Sequence, residues 1–342
     1  MKEEKQTYIE LLRVAAIFFV VFNHTRNFGY TLYMEVSGGS AYWGSLSLSI
    51  LCKIAVPVFF MISGGLLLGR QESLKELFRR RILRYVAVIL LFTFLQYLRI
   101  VRVHPERGFH PGEWLRYCFT GDIIEPYWFL YAYLSFLLLL PFLRHLAAVM
   151  KGREYLYLLG LKAFSTIIGF FSFYTGISSG LTFPFLADLI FYPLIGYYFM
   201  MKIDPASRSL LRPVLLMTGL LACLLSAVIQ AHFYLRSGKT GLEGFCSLYV
   251  WILASLVVLL ARQIRIKSAR IRQILCAMGN CVFGVYLIED VARNQVERFM
   301  PAMILHCGAF FAAILFTALS VLISMAAILL VRKVPFIRNL IG

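Results

Sequence analysis

The stretch Leu11–Thr25, L-L-R-V-A-A-I-F-F-V-V-F-N-H-T, sets two polar side chains, Arg13 and His24, at the ends of an apolar run. Inside a bilayer an ionisable residue costs roughly 2.5–3.5 kcal/mol on insertion scales, so it faces a partner, a cavity or a substrate path. Arg13 and His24 are 11 residues apart, close to three helical turns. At 3.6 residues per turn both project from nearly the same face, roughly 16 Å apart along the axis. Each has an ordinary role as well: a histidine hydrogen-bonded between helices, and an arginine snorkelling to the headgroups.

The rest of the 342 residues fits that membrane reading. Apolar residues make up 60% of the chain, charged residues only 15%, and the mean hydropathy is +0.78. This is the composition of an all-α polytopic membrane protein, with one membrane-embedded domain over 1–342 and no soluble domain of its own. The first apolar run lacks a small-residue cleavage site and is expected to be retained. The seven cysteines are scattered with no C-x-x-C pair, which makes them packing residues and gives no metal site. The net charge of +17 points away from nucleic acid, because aromatics sit in the apolar runs while Lys and Arg cluster between them. That pattern is membrane topology signalling, with a phosphate-bearing ligand as a second meaning.

About 20 apolar residues cross a hydrocarbon core. Ten segments meet that need, at 8–28, 49–69, 84–101, 126–143, 155–175, 181–201, 213–235, 244–262, 274–294 and 307–331. Thr175–Gly180, T-G-I-S-S-G, is a turn cluster that should split the charge-free 163–187 region. Placing the N-terminus inside puts most of the Lys and Arg in cytoplasmic loops, so about ten transmembrane helices with both termini cytoplasmic are expected. On this topology Arg26, Lys53 and Lys239 are expected in outer loops and Arg208 in an inner one. The longest outer loop, Val101–Glu125, has mixed charges suited to solvent or to a sugar-rich acceptor.

Two carboxylates are candidates to join His24 at a similar depth: Asp188 in the sixth span and Glu289 in the ninth, within C-V-F-G-V-Y-L-I-E-D. A carboxylate beside a histidine fixes its tautomer and stabilises the imidazolium formed when the ring deprotonates a hydroxyl. On the cytoplasmic side, Arg70–Tyr85 reads R-Q-E-S-L-K-E-L-F-R-R-R-I-L-R-Y. In a regular helix Arg81 and Arg84 share a face, with Arg80 at i,i+4 to Arg84. The cluster suits either anionic lipid headgroups or a polyphosphorylated ligand, since guanidinium forks match phosphate oxygens; Arg13 enters from the same side. In Val56–Gly65, Pro57 and the glycines suggest a kink and close helix approach. Hydrolase, Walker and metalloprotease signatures are missing from the sequence.

Taken together, Arg13-x10-His24, V-P-V-F-F-M-I-S-G from Val56, R-I-L-R at Arg81–Arg84, E-P-Y-W-F-L-Y from Glu125 with the later L-P-F-L, and F-G-V-Y-L-I-E-D from Phe283 resemble the acyltransferase-3 family of integral membrane acyltransferases. The motifs occur in the family's order along nearly the whole chain. The resemblance implies a membrane O-acyltransferase, most often an O-acetyltransferase. Such an enzyme takes an acyl group from cytoplasmic acyl-CoA, usually acetyl-CoA, to a hydroxyl of a cell-surface or exported glycan or lipid-linked glycan. It also implies the cytoplasmic membrane of a bacterium, with membrane lipids around it. The family's helix-1 arginine and histidine fall on Arg13 and His24, and its R-x-x-R on Arg81 and Arg84. Many relatives carry His where this chain has Glu289. Some relatives continue into a soluble racemase domain, which is not expected here.

The expected catalytic set is therefore His24, Arg13, Asp188 and Glu289, with Arg81, Arg84, Arg80 and Arg13 on the CoA phosphates. His24 acts as general base or as a transient acyl carrier. The rival is a proton-coupled transporter or flippase that uses the same intramembrane charges without covalent chemistry.

Overall fold

In the computed structural model, residues 2–36, 38–203, 211–238 and 242–341 are described. Arg208 and Lys239 lie outside them. The described chain is 85% helix with no strand, as a backbone in hydrocarbon requires, because helices satisfy their own N–H and C=O groups. In chain order, α1 spans Lys2–Asn23, α2 Leu32–Glu35, α3 Gly39–Cys52 and α4 Ala55–Leu67. Next come α5 Leu74–Leu77, α6 Leu83–Val103, α7 Pro111–Thr120 and α8 Trp128–Val149. They are followed by α9 Gly152–Thr175, α10 Asp188–Tyr197, α11 Leu211–Arg236, α12 Leu242–Ala261 and α13 Ala269–Val296. The chain closes with α14 Met300–Cys307, α15 Ala309–Val331 and α16 Pro335–Ile341.

Seven helical stretches among the described residues are long and apolar enough to cross a membrane: Gly39–Leu67, Leu74–Val103, Glu125–Val149, Gly152–Thr175, Arg212–Arg236, Ala269–Cys307 and Ala309–Val331. The predicted split after Thr175 is present, because α9 ends on Gly176 in a left-handed conformation, φ 73°. The second span differs from its sequence reading of 49–69. It starts at Gly39 and breaks at Lys53–Ile54, so Lys53 stands within a broken helix and not in an outer loop, its ammonium 4.4 Å from the Tyr30 ring. The break explains Pro57 without a further kink, since it falls in the first turn of α4 where its missing N–H has no partner to lose. Within the Val101–Glu125 loop, α7 was not foreseen. Its Leu115 and Phe119 are exposed while Trp114 and Tyr117 turn inward, as in an interfacial helix.

The chain forms two compact units, one of Met1–Leu66 with Met150–Leu330 and one of Leu67–Val149 with Val331–Gly342. In the first unit α1 packs along α13, and Glu10 of α1 fills the space where a Cβ on Gly279 would stand. Further along both helices, His24 meets Glu289. Residue numbers rise in the same direction on both, so α1 and α13 run parallel. In the same unit α4 and α10 approach through reciprocal glycines. A Cβ on Gly64 would run into the backbone of Pro193, and one on Gly196 into the backbone of Met61. Such a crossing gains close van der Waals packing in a medium that offers no hydrophobic drive.

Because backbone cannot step aside as a side-chain tip can, Gly64→Ala or Gly196→Ala is expected to lower stability by about 1–3 kcal/mol. Gly219→Ala, where the nearest atom is 3.8 Å away, serves as a neutral control. Thermal unfolding in detergent checks both, and equal melting temperatures for all three variants would rule out the tight crossing.

Candidate active site

His24 follows directly on the last residue of α1, and its backbone N–H still reaches Val20 O and Val21 O at 3.2 and 3.1 Å. The helical path therefore extends to the ring. The next residues then turn sharply. Arg26 has φ 50°, the one non-glycine residue in the left-handed region among those described. The turn is braced where Thr25 Oγ1 donates to Phe22 O at 2.6 Å and accepts from Tyr30 N–H at 3.0 Å, and where Thr31 N–H reaches Arg26 O at 3.0 Å. Phe22, fully buried with Leu32, Cys52 and Ala313, anchors the end of α1 below it. A left-handed non-glycine stores strain of order 1–3 kcal/mol, which such bracing holds in place.

Of the two candidate carboxylates, Glu289 is the one that reaches His24. The His24 Nδ1 and Glu289 Oε1 atoms are 2.8 Å apart, and the Glu289 side chain is only 1% exposed. With the carboxylate ionised, Nδ1–H is the donor and Nε2 carries the lone pair. Nε2 has no hydrogen-bond partner among the described residues. Glu289 Oε2 lies 3.4 Å from Arg293 Nε, one turn further along α13. Both atoms are buried, and the separation is an ion-pair distance without the alignment of a hydrogen bond. Arg293, read in the sequence only as an outer-loop charge, thus belongs to this cluster. Its i,i+4 spacing from Glu289 was the available signal.

The other predicted residues are placed as follows. Arg13 is an ion-pair partner of Glu10 at 3.0 Å, one turn earlier on α1. Asp188 is the exposed first residue of α10, with Lys162 of α9 as its electrostatic neighbour. Arg80, Arg81 and Arg84 line one cleft of about 440 Å³ together with Arg70, Gln71, Glu72 and Glu76. The shared face expected for Arg81 and Arg84 belongs to a regular α-helix, whereas Phe78–Ile82 forms a π turn between α5 and α6. Such wider turns recur at functional sites. A Ser73–Glu76 capping box starts α5 beside the cleft.

Glu72 organises this cleft. It accepts from Arg81 Nε at 2.9 Å and from Arg144 at 2.9 Å, while Arg144 Nε also donates to Leu67 O at 3.0 Å. Arg84 Nε donates to Leu340 O of α16 at 3.0 Å. Burial alone would raise the Glu72 carboxyl, but the hydrogen bonds and charges of Arg144 and Arg81 outweigh it and hold it below the usual 4.5. The cleft keeps more arginines than carboxylates and so attracts anions.

A model of the family described as acyltransferase domain matches residues 6–330. The chain belongs to the acyltransferase-3 family. No curated protein and no solved structure matches it. This multi-pass membrane protein is a membrane acyltransferase.

The lowered Glu72 carboxyl has a measurable consequence. Its ionised form is stabilised by folding, so its contribution is present above about pH 4.5 and fades as the pH falls through the lower folded-state value. Glu72→Gln should destabilise the protein by roughly 1.5–3 kcal/mol at neutral pH by removing the negative charge that Arg81 and Arg144 share. Its melting temperature should also fall less steeply on acidification than that of the unmodified protein. Parallel acid profiles would contradict this reading of the pair.

Proposed function

We propose that the chain is an O-acetyltransferase that moves an acetyl group from cytoplasmic acetyl-CoA to a hydroxyl of a cell-surface or exported glycan. On this reading it works in the cytoplasmic membrane of a bacterium as a ten-helix body with both termini inside. The observation that carries the proposal is the His24–Glu289 pair with Nε2 left open, inside a member of an acyltransferase family. In the transfer, Nε2 takes the proton of the acceptor hydroxyl as its oxygen attacks the thioester carbonyl. A C–O bond forms, the C–S bond breaks, and the imidazolium returns its proton to the thiolate, giving the ester and free CoA. Glu289 stabilises the imidazolium between those two steps.

The CoA phosphates sit in the cleft of Arg80, Arg81 and Arg84, whose guanidinium groups suit phosphate oxygens. The phosphates and the thioester of CoA lie at opposite ends of its uncharged pantetheine arm, so anion recognition and proton transfer fall to different residues. Arg13, tied to Glu10, supports the helix that carries His24 and adds positive charge on the donor side. Among the described residues Asp188 has Lys162 beside it and no comparable link to the base.

Membranes supplied with radiolabelled acetyl-CoA test the division of labour. Arg81→Ala and Arg84→Ala should raise the donor KM about 10- to 100-fold, the worth of a charge-assisted hydrogen bond, while His24→Ala binds donor normally and transfers no label to the polysaccharide fraction. Transfer at the normal rate by His24→Ala would sink the proposal.

A further inference from the structure

We infer that Arg293 is a positioning residue for the acyl-transfer base, acting through Glu289. The inference rests on the reading of His24 as that base. Glu289 is among the most buried charged side chains described, and His24 satisfies only one of its oxygens. An ionised carboxylate out of water is costly unless both lone-pair sets are met, and breaking such a pair leaves an uncompensated charge. Arg293 supplies the missing charge at 3.4 Å from Oε2, with its own side chain 15% exposed.

Among the described residues, the surroundings leave that task to Arg293. α15, which packs on α13 through Ile328 beside Gly284, has no charged residue, and neither has α3. Lys53, beyond the end of α3, lies over the Tyr30 ring. Arg26 and Asp290 are the other charged residues next to the pair in sequence, and both have interactions of their own. The 248–261 stretch of α12 carries no charged residue. Arg293 is the charged residue on α13 at the i,i+4 position that reaches Oε2.

The consequence is geometric. With Oε2 held by Arg293, Oε1 is fixed as the acceptor for Nδ1–H, the ring cannot flip to offer Nδ1 as base, and Nε2 stays turned outward. Without the guanidinium the carboxylate loses its charge or its place, and the base loses its tautomer. Donor recognition in the arginine cleft does not depend on this step.

The test uses the full-length protein in membranes with labelled acetyl-CoA. Arg293→Met, which keeps an unbranched stem of similar bulk and removes the charged guanidinium, should lower kcat about 100-fold, the scale of a general base's contribution, with the donor KM unchanged. Arg293→Lys should recover most of that loss. In a Glu289→Gln background, where no carboxylate remains to be held, Arg293→Met should add no further loss. Normal kcat in Arg293→Met overturns the inference, as do losses that multiply in the double variant, the mark of a purely structural role. If Arg293→Met fails to reach the membrane folded, the Arg293→Lys and double variants carry the same test. Inactive His24→Ala beside a fully active Arg293→Met rejects this inference alone, whereas active His24→Ala rejects the acyl-transfer reading beneath it.

Discussion

One buried carboxylate sets the terms for the first unit of this protein. Glu289 is shut away from water and lies 2.8 Å from His24, where α1 and α13 run side by side in the same direction. Gly279 permits the approach by giving its Cβ space to Glu10. The braced turn after Asn23 then ends α1 at the ring and carries the chain away from it. Close packing at one end of the helix pair and an ionic pair at the other are two parts of one constraint.

The second unit solves a different electrostatic problem. Several arginines around one cleft repel one another, and Glu72, partly buried between Arg81 and Arg144, offsets that repulsion while leaving a surplus of positive charge. Arg84 is steadied by a carbonyl of α16, a helix beyond residue 330 where the family match ends. Fixing guanidinium groups before the ligand arrives lowers the entropy cost of binding.

Much of this was legible in the sequence because insertion energetics make intramembrane charge conspicuous. Arg13, His24, Asp188 and Glu289 all stood out as expensive residues, the Arg80–Arg84 run as a cytoplasmic cluster suited to phosphate, and the Thr175–Gly180 split followed from turn chemistry. Choosing Glu289 over Asp188 was out of reach, since depth along a helix does not reveal which helices are neighbours. The partners of the arginines were missed for a simpler reason. Glu10 and Glu72 look like ordinary loop or interface charges until burial shows what they hold. The broken second span escaped because Lys53 in an apolar stretch reads as a loop, and the π turn because no residue pattern marks an extra residue in a turn. Arg293 was passed over as a topology charge although its spacing from Glu289 was in plain view.

The dependence of His24 on Glu289 is tested most directly by acyl transfer in His24→Ala, Glu289→Ala and the double variant, each normalised to folded protein in the membrane. If the two residues act as one unit, all three fall to the same residual rate, because removing either disables the same proton transfer. Near-normal transfer by Glu289→Ala, or single losses that multiply in the double variant, would contradict it.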